Sequence, residues 1–116
     1  MRLAGAKTAT GLLLAATLAA AVMPSQAAGD AAADLAEGKL LFTQKAVPAC
    51  ALCHTLEDAG AAGAIGPVLD ELKPDAARVA KAVKNGIGQM PAYGTLSDAQ
   101  VQAVARYVAK ASGGEK

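Results

Sequence analysis

Large side chains are scarce in this sequence. It holds no tryptophan, one phenylalanine and two tyrosines in 116 residues. A core of ordinary size cannot be filled from Phe42, Tyr93 and Tyr107 alone, so a domain built from this chain needs apolar surface from another source. Histidine is scarcer still: His54 stands alone, accompanied by only two cysteines, Cys50 and Cys53. A structural zinc site takes four Cys or His ligands and would have to be completed here by carboxylates. A bridge between the two cysteines would close too short a loop to stabilise much, and would leave His54 without a role. Charge of one sign is lacking as well. Eleven Lys and Arg stand against ten Asp and Glu, which leaves no basic footprint for nucleic acid and only a modest long-range field.

No apolar run reaches the ~20 residues needed to span a bilayer. The one run there is sits at the start, where Gly11 to Val22 follow a basic leader, Arg2 and Lys7, and precede Ser25-Gln26-Ala27, a small-residue cleavage signal. Pro24 cuts the run short, and no cysteine lies near the cleavage point to carry a lipid. Residues 1–27 are therefore predicted to be a cleaved secretory signal peptide. Residues 28–116 then form a single domain, exported to a bacterial periplasm without stable membrane insertion. Loss of Arg2 and Lys7 with the leader leaves nine basic and ten acidic residues, a net charge of −1. The 53% hydrophobic content reflects the leader and the many alanines.

What the sequence does contain is Cys50-Ala51-Leu52-Cys53-His54. Two thiols three residues apart, followed at once by an imidazole, read as the attachment motif of a c-type haem. One helical turn brings both sulfurs to the two vinyl groups of a porphyrin and lets the histidine ligate the iron. A thioredoxin-like dithiol also shows C-x-x-C, but needs a βαβ setting rich in β-branched residues, which this Ala-, Leu- and Gly-dominated chain does not offer.

The elements follow from local chemistry. A first helix is predicted from a cap at Asp30 or Asp34 to about Gln44, after a loose Ala-rich lead-in, and Gly38 inside it marks the close approach of another backbone. Val47-Pro48 ends it. Residues 55–67 show neither helical nor strand period and read as a loop passing over the cofactor. A short helix over Val68 to Leu72 is followed by one opened by Pro74, with Val79, Ala80 and Val83 inward and Asn85-Gly86 at its end. Ser97 with Gln100 forms a capping box for the last helix, in which Val101, Val104, Val108 and Ala111 recur at helical spacing until Gly113-Gly114. There is no convincing strand, and the class is all-α, with three to four helices wrapped around one covalently attached haem.

A haem iron held by His54 has a second axial position. Met1 and Met23 leave with the leader, so Met90 is the only methionine that remains, 36 residues beyond His54 in Gly86-Ile87-Gly88-Gln89-Met90-Pro91. Glycine-loosened backbone before it and a stiff proline after it suit a loop that presents a thioether. Methionine also serves as a core gap-filler, and Tyr93 and the lysines are the other candidate ligands. Gly66-Pro67 reads as an ordinary turn or as the source of a carbonyl acceptor for the ligating imidazole.

Together these motifs resemble a small class I cytochrome c across essentially all of residues 28–116: attachment motif, Gly-Pro about a dozen residues later, Met-Pro loop and C-terminal helix. The resemblance implies one haem c bound covalently through Cys50 and Cys53. It implies His54 and Met90 as the metal ligands, with Pro67 completing the cofactor-binding set through a hydrogen bond from His54. It also implies that Gly38 and Phe42 on the first helix pack against Tyr107 on the last. The run from Cys50 through Gly66-Pro67-Val68-Leu69 to Met90-Pro91 is similar to cytochromes that accept electrons from bacterial molybdenum sulfite dehydrogenases. No catalytic residue is expected. The chain is expected to be a monomeric electron carrier, not an enzyme, taking single electrons from a dehydrogenase and passing them to a downstream cytochrome or oxidase by transient docking. A soft thioether and burial both raise the potential. Docking is expected at an apolar rim of Ala49, Ala51 and Leu52 with Ile87, Gln89, Pro91 and Ala92. The alternatives are a tightly bound haem subunit of a larger oxidoreductase, or a haem enzyme or gas-binding protein with an open sixth position.

Overall fold

A computed structural model of the chain describes residues 5, 11, 20–23 and 26–115. Most of the segment read as a signal peptide lies outside the described residues. Among them the order is α1 (Gln26–Leu40), a π-helical turn (Leu41–Lys45), a 3-10 turn (Cys50–Leu52), β1 (Thr55–Leu56), a 3-10 turn (Glu57–Ala59), β2 (Ala61–Ala62), α2 (Leu69–Leu72), α3 (Ala76–Asn85) and α4 (Asp98–Ser112). No helix among the described residues is long and apolar enough to cross a membrane.

Helix α1 begins earlier than its caps suggest. Asp30 and Asp34 lie inside it, because the alanine-rich lead-in is itself a strong helix former and needs no cap to start. Asp34 instead pairs with Arg106 of α4 across 2.5 Å. Crossing of α1 on α4 depends on Gly38: a Cβ there would overlap the Ala103 backbone and come within 2.5 Å of the Tyr107 Cβ. Just beyond, the chain widens into the π turn, closed by Ala46 N–H donating to the Leu41 carbonyl at 3.1 Å, and this turn buries Leu41 and Phe42. Phe42 meets Tyr107 edge to face, centroids 6.1 Å apart and planes at 64°, a geometry aromatic quadrupoles favour.

Helix α3 is capped by Asp75, not opened by Pro74. The Asp75 carboxylate accepts from Arg78 N–H at 2.8 Å. Ala80 and Val83 are buried and Val79 half-buried, as the inward stripe requires. In α4 both halves of the capping box form: Gln100 N–H donates to Ser97 Oγ at 3.2 Å, and Ser97 N–H to Gln100 Oε1 at 2.9 Å. Gly113 ends the helix in the left-handed region, φ 78°.

The segment over residues 55–67 departs further from the sequence reading. The segment read as irregular loop contains a hairpin, β1 antiparallel to β2 with Thr55 opposite Ala62 and Leu56 opposite Ala61. Strands of two residues are too short for any alternation to show.

Candidate cofactor site

The Cys50–Leu52 turn is tight. Cys53 N–H and His54 N–H both donate to the Cys50 carbonyl, at 3.1 and 3.0 Å, so one turn of backbone carries both thiols and sets His54 at its end. The thiols are free and half-buried. Burial pushes Cys50 up to about 11, which keeps its sulfur protonated at neutral pH in the bare chain.

His54 is held on one side. Its Nδ1 lies 2.8 Å from the Pro67 carbonyl, and since a carbonyl only accepts, Nδ1 carries the hydrogen, so that in the neutral ring the lone pair is on Nε2. That is the arrangement in which an imidazole ligates a metal and its other nitrogen is fixed by an outer partner. Gly66 makes room for it: a Cβ at that position would come within 2.5 Å of the His54 ring. The β1–β2 hairpin brings the segment there. Thr55 Oγ1 donates to the Gly63 carbonyl at 3.0 Å, Gly66 N–H donates to the Cys53 carbonyl at 2.7 Å, and Gly63 packs so closely on the Cys53–His54 backbone that no side chain would fit. The sequence reading did not single out Gly63, whose role depends on contact across the hairpin.

The glycines before Met90 have a different use from looseness. Ile87 and Met90 exchange backbone hydrogen bonds at 3.0 and 2.9 Å, closing a two-residue turn whose first central residue, Gly88, has φ 55°, a value glycine reaches without penalty. Tyr93 N–H then anchors the loop to the Val83 carbonyl at 2.9 Å. Tyr93, another candidate ligand, lines the same cavity as Met90. Its hydroxyl donates to the Pro48 carbonyl at 2.9 Å, and burial pushes the phenol up to about 12.

Cys50, Cys53, His54, Pro67 and Met90 all line one cavity of about 490 Å³, with Phe42, Val79, Val83, Val104 and Val108 among its apolar walls. This volume falls in the roughly 300–1,000 Å³ range of small-molecule and cofactor sites. Two thiols on one turn, an imidazole with a free Nε2, a thioether and apolar walls from α3 and α4 form a donor set that suits a covalently bound haem. Of the expected rim, Ile87, Gln89 and Pro91 reach the cavity, whereas Ala49, Ala51, Leu52 and Ala92 do not line it. Leu52 and Ile87 are 65% and 67% exposed. Ile65, outside the expected rim, lines the cavity as well and is 70% exposed.

Residues 33–108 match the family model described as cytochrome c oxidase, cbb3-type, subunit III. No curated protein matches. Among solved structures, the chain is similar to the c-type cytochrome SorU from Sinorhizobium meliloti, with 55% identity over 71% of this chain and 94% of that one and a TM-score of 0.69.

Proposed function

This chain belongs to the c-type cytochromes, and from that membership we propose that it is a periplasmic electron carrier with one haem c, joined through Cys50 and Cys53 and ligated by His54 and Met90. A bound haem would supply one-electron chemistry between its ferrous and ferric states. The residues do the rest. His54 presents Nε2 while Pro67 fixes its tautomer, and this raises the basicity of the imidazole. Met90 offers a neutral, soft sulfur that favours the ferrous state, and the apolar walls disfavour the extra charge of the ferric one; both raise the potential. With His54 and Met90 both holding the iron, a bound haem would offer no open position to a substrate, and the chain would carry electrons without catalysing a reaction of its own.

The observation that supports this most is the convergence on one cavity of Cys50, Cys53, Met90 and a His54 whose Nδ1 hydrogen is committed to Pro67. The resemblance of the motifs to acceptors of molybdenum sulfite dehydrogenases supports such an enzyme as donor, with a downstream cytochrome or oxidase as acceptor. Protein purified from the periplasm should keep its haem on the denatured chain, titrate reversibly with one electron and, when ferrous, fail to bind carbon monoxide. Ready binding of carbon monoxide by the wild type would overturn the ligand assignment. The matched family is described as an oxidase subunit, which favours a second reading, a permanently bound haem subunit. Its native mass separates the two: a monomer is a free carrier, and co-elution with a larger oxidoreductase is a subunit.

A further inference from the structure

Of the residues lining the cavity, Arg78 is the one with a permanent charge. It is also exposed, so it stands where the cavity meets water. Nothing in its own helix accounts for it. Arg78 is the third residue of α3, in the first turn, where the helix dipole is positive and a cation is disfavoured. Nor does a protein partner account for it. Lys39 pairs with Asp58, Lys45 with Glu37, Lys84 with Asp98 and Arg106 with Asp34; the Arg78 guanidinium, like the ammonium groups of Lys73, Lys81 and Lys110, makes no ion pair or side-chain hydrogen bond among the described residues, but of these four cations Arg78 alone lines the cavity. The nearest acid in sequence, Asp75, spends its Oδ1 on the Arg78 backbone N–H.

A haem brings two carboxylates to a cavity whose walls are otherwise almost entirely apolar. An ionised carboxylate there needs water or a cation, and the planar fork of an arginine matches it with two parallel N–H donors. We propose that Arg78 is the counter-ion of a haem propionate, aided by the positive end of α3, and so helps to set the haem's orientation and potential. This rests on the haem reading above. Its cost to the helix and its lack of a protein partner are both accounted for by a ligand charge at the cavity mouth.

The test uses the holoprotein. Arg78→Gln should shift the propionate-bending band in resonance Raman spectra and lower the midpoint potential, because loss of a nearby cation favours the ferric state, while the axial-ligand signatures stay as in the wild type. Arg78→Lys, which keeps the charge and loses the fork, should recover part of the potential but not the band, and it carries the test if Arg78→Gln does not accumulate. A potential that moves while the propionate band stays put in both variants would mean a surface charge acting at a distance, and would overturn the assignment. A wild type without covalent haem would overturn the haem reading first, before any variant is compared.

Discussion

Two side chains show how a single residue connects packing to chemistry. Met90 lines the cavity from a pinned turn, so truncating it removes the thioether while leaving the Ile87–Met90 backbone bonds intact. Met90→Ala should keep its covalent haem, show a lower midpoint potential and begin to bind carbon monoxide in the ferrous form; an unchanged spectrum would rule Met90 out as the ligand. Tyr107 donates to Asp58 Oδ2 at 2.6 Å. That bond, with Lys39 beside it, holds the Asp58 carboxyl below the usual carboxylate range. A carboxylate whose pKa is depressed by folding contributes stability above its unfolded value, near 3.9, and loses it as pH falls through the folded one. Tyr107→Phe should therefore cost about 0.5–1.5 kcal/mol at neutral pH. The gap from wild type should narrow as pH falls below the unfolded value, about 4, and on through the lower value of the folded Asp58. Urea unfolding at several pH values checks this, and a gap that widens in acid would refute the link. Of these two residues the sequence reading reached Met90 by elimination. It placed Tyr107 only by family resemblance, and the Tyr107–Asp58 bond, 49 positions apart, had no local signal.

At the scale of elements, the α1–α4 crossing holds the rest in place. Gly38 lets the helices approach until its backbone faces Ala103 and Tyr107, and the Phe42–Tyr107 pair sits one turn along. Gly38→Val would drive a branched side chain into a backbone that cannot yield locally. It should cost about 1–3 kcal/mol as an overpacking change, read as a lower thermal midpoint of the holoprotein, whereas breaking the exposed Arg106–Asp34 pair with Asp34→Asn should cost about 0–1 kcal/mol. An equal loss in both would contradict the packing argument. Caps and stops were the most legible part of these elements. The Ser97–Gln100 box and the Gly113 terminus act within four residues and so show in sequence. The π turn over Leu41–Lys45 and the two-residue strands did not, because tertiary packing, not local propensity, produces them.

For the whole molecule, the core is the cavity wall as much as it is a core. Phe42, Leu69, Val83, Val104 and Val108 are buried and also face the cavity, so the cofactor would bury surface that the polypeptide cannot bury by itself. Cys50→Ala with Cys53→Ala should abolish covalent attachment and leave a largely unfolded chain by circular dichroism; a stable helical apoprotein would show that the helices pack without it. Partner docking belongs to the same scale. Ile87 and Ile65 are exposed beside the cavity, and interfaces for electron transfer are small, under about 1,200 Å² in total. Ile87→Asp should slow electron exchange with the partner and barely move the potential. The wild-type association rate should depend only weakly on ionic strength, and rates that collapse between low and moderate salt would assign recognition to charges such as Lys81 and Lys84 instead.

From the sequence came the cofactor motif, the all-α class, the cap and stop of α4 and, with the family resemblance, the candidate set Cys50, Cys53, His54, Pro67 and Met90. Each of these is written in residues a few positions apart, or in residue types too rare to have rivals. The tertiary structure decided which ring nitrogen of His54 carries the hydrogen it donates to the Pro67 carbonyl, 13 residues away. It also decided why Gly63 and Gly66 must be glycines, that the Met90 loop is a pinned turn, and that Arg78 faces the cavity. These facts depend on what touches what after the helices cross, and a contact between segments distant in the chain leaves no periodicity in either.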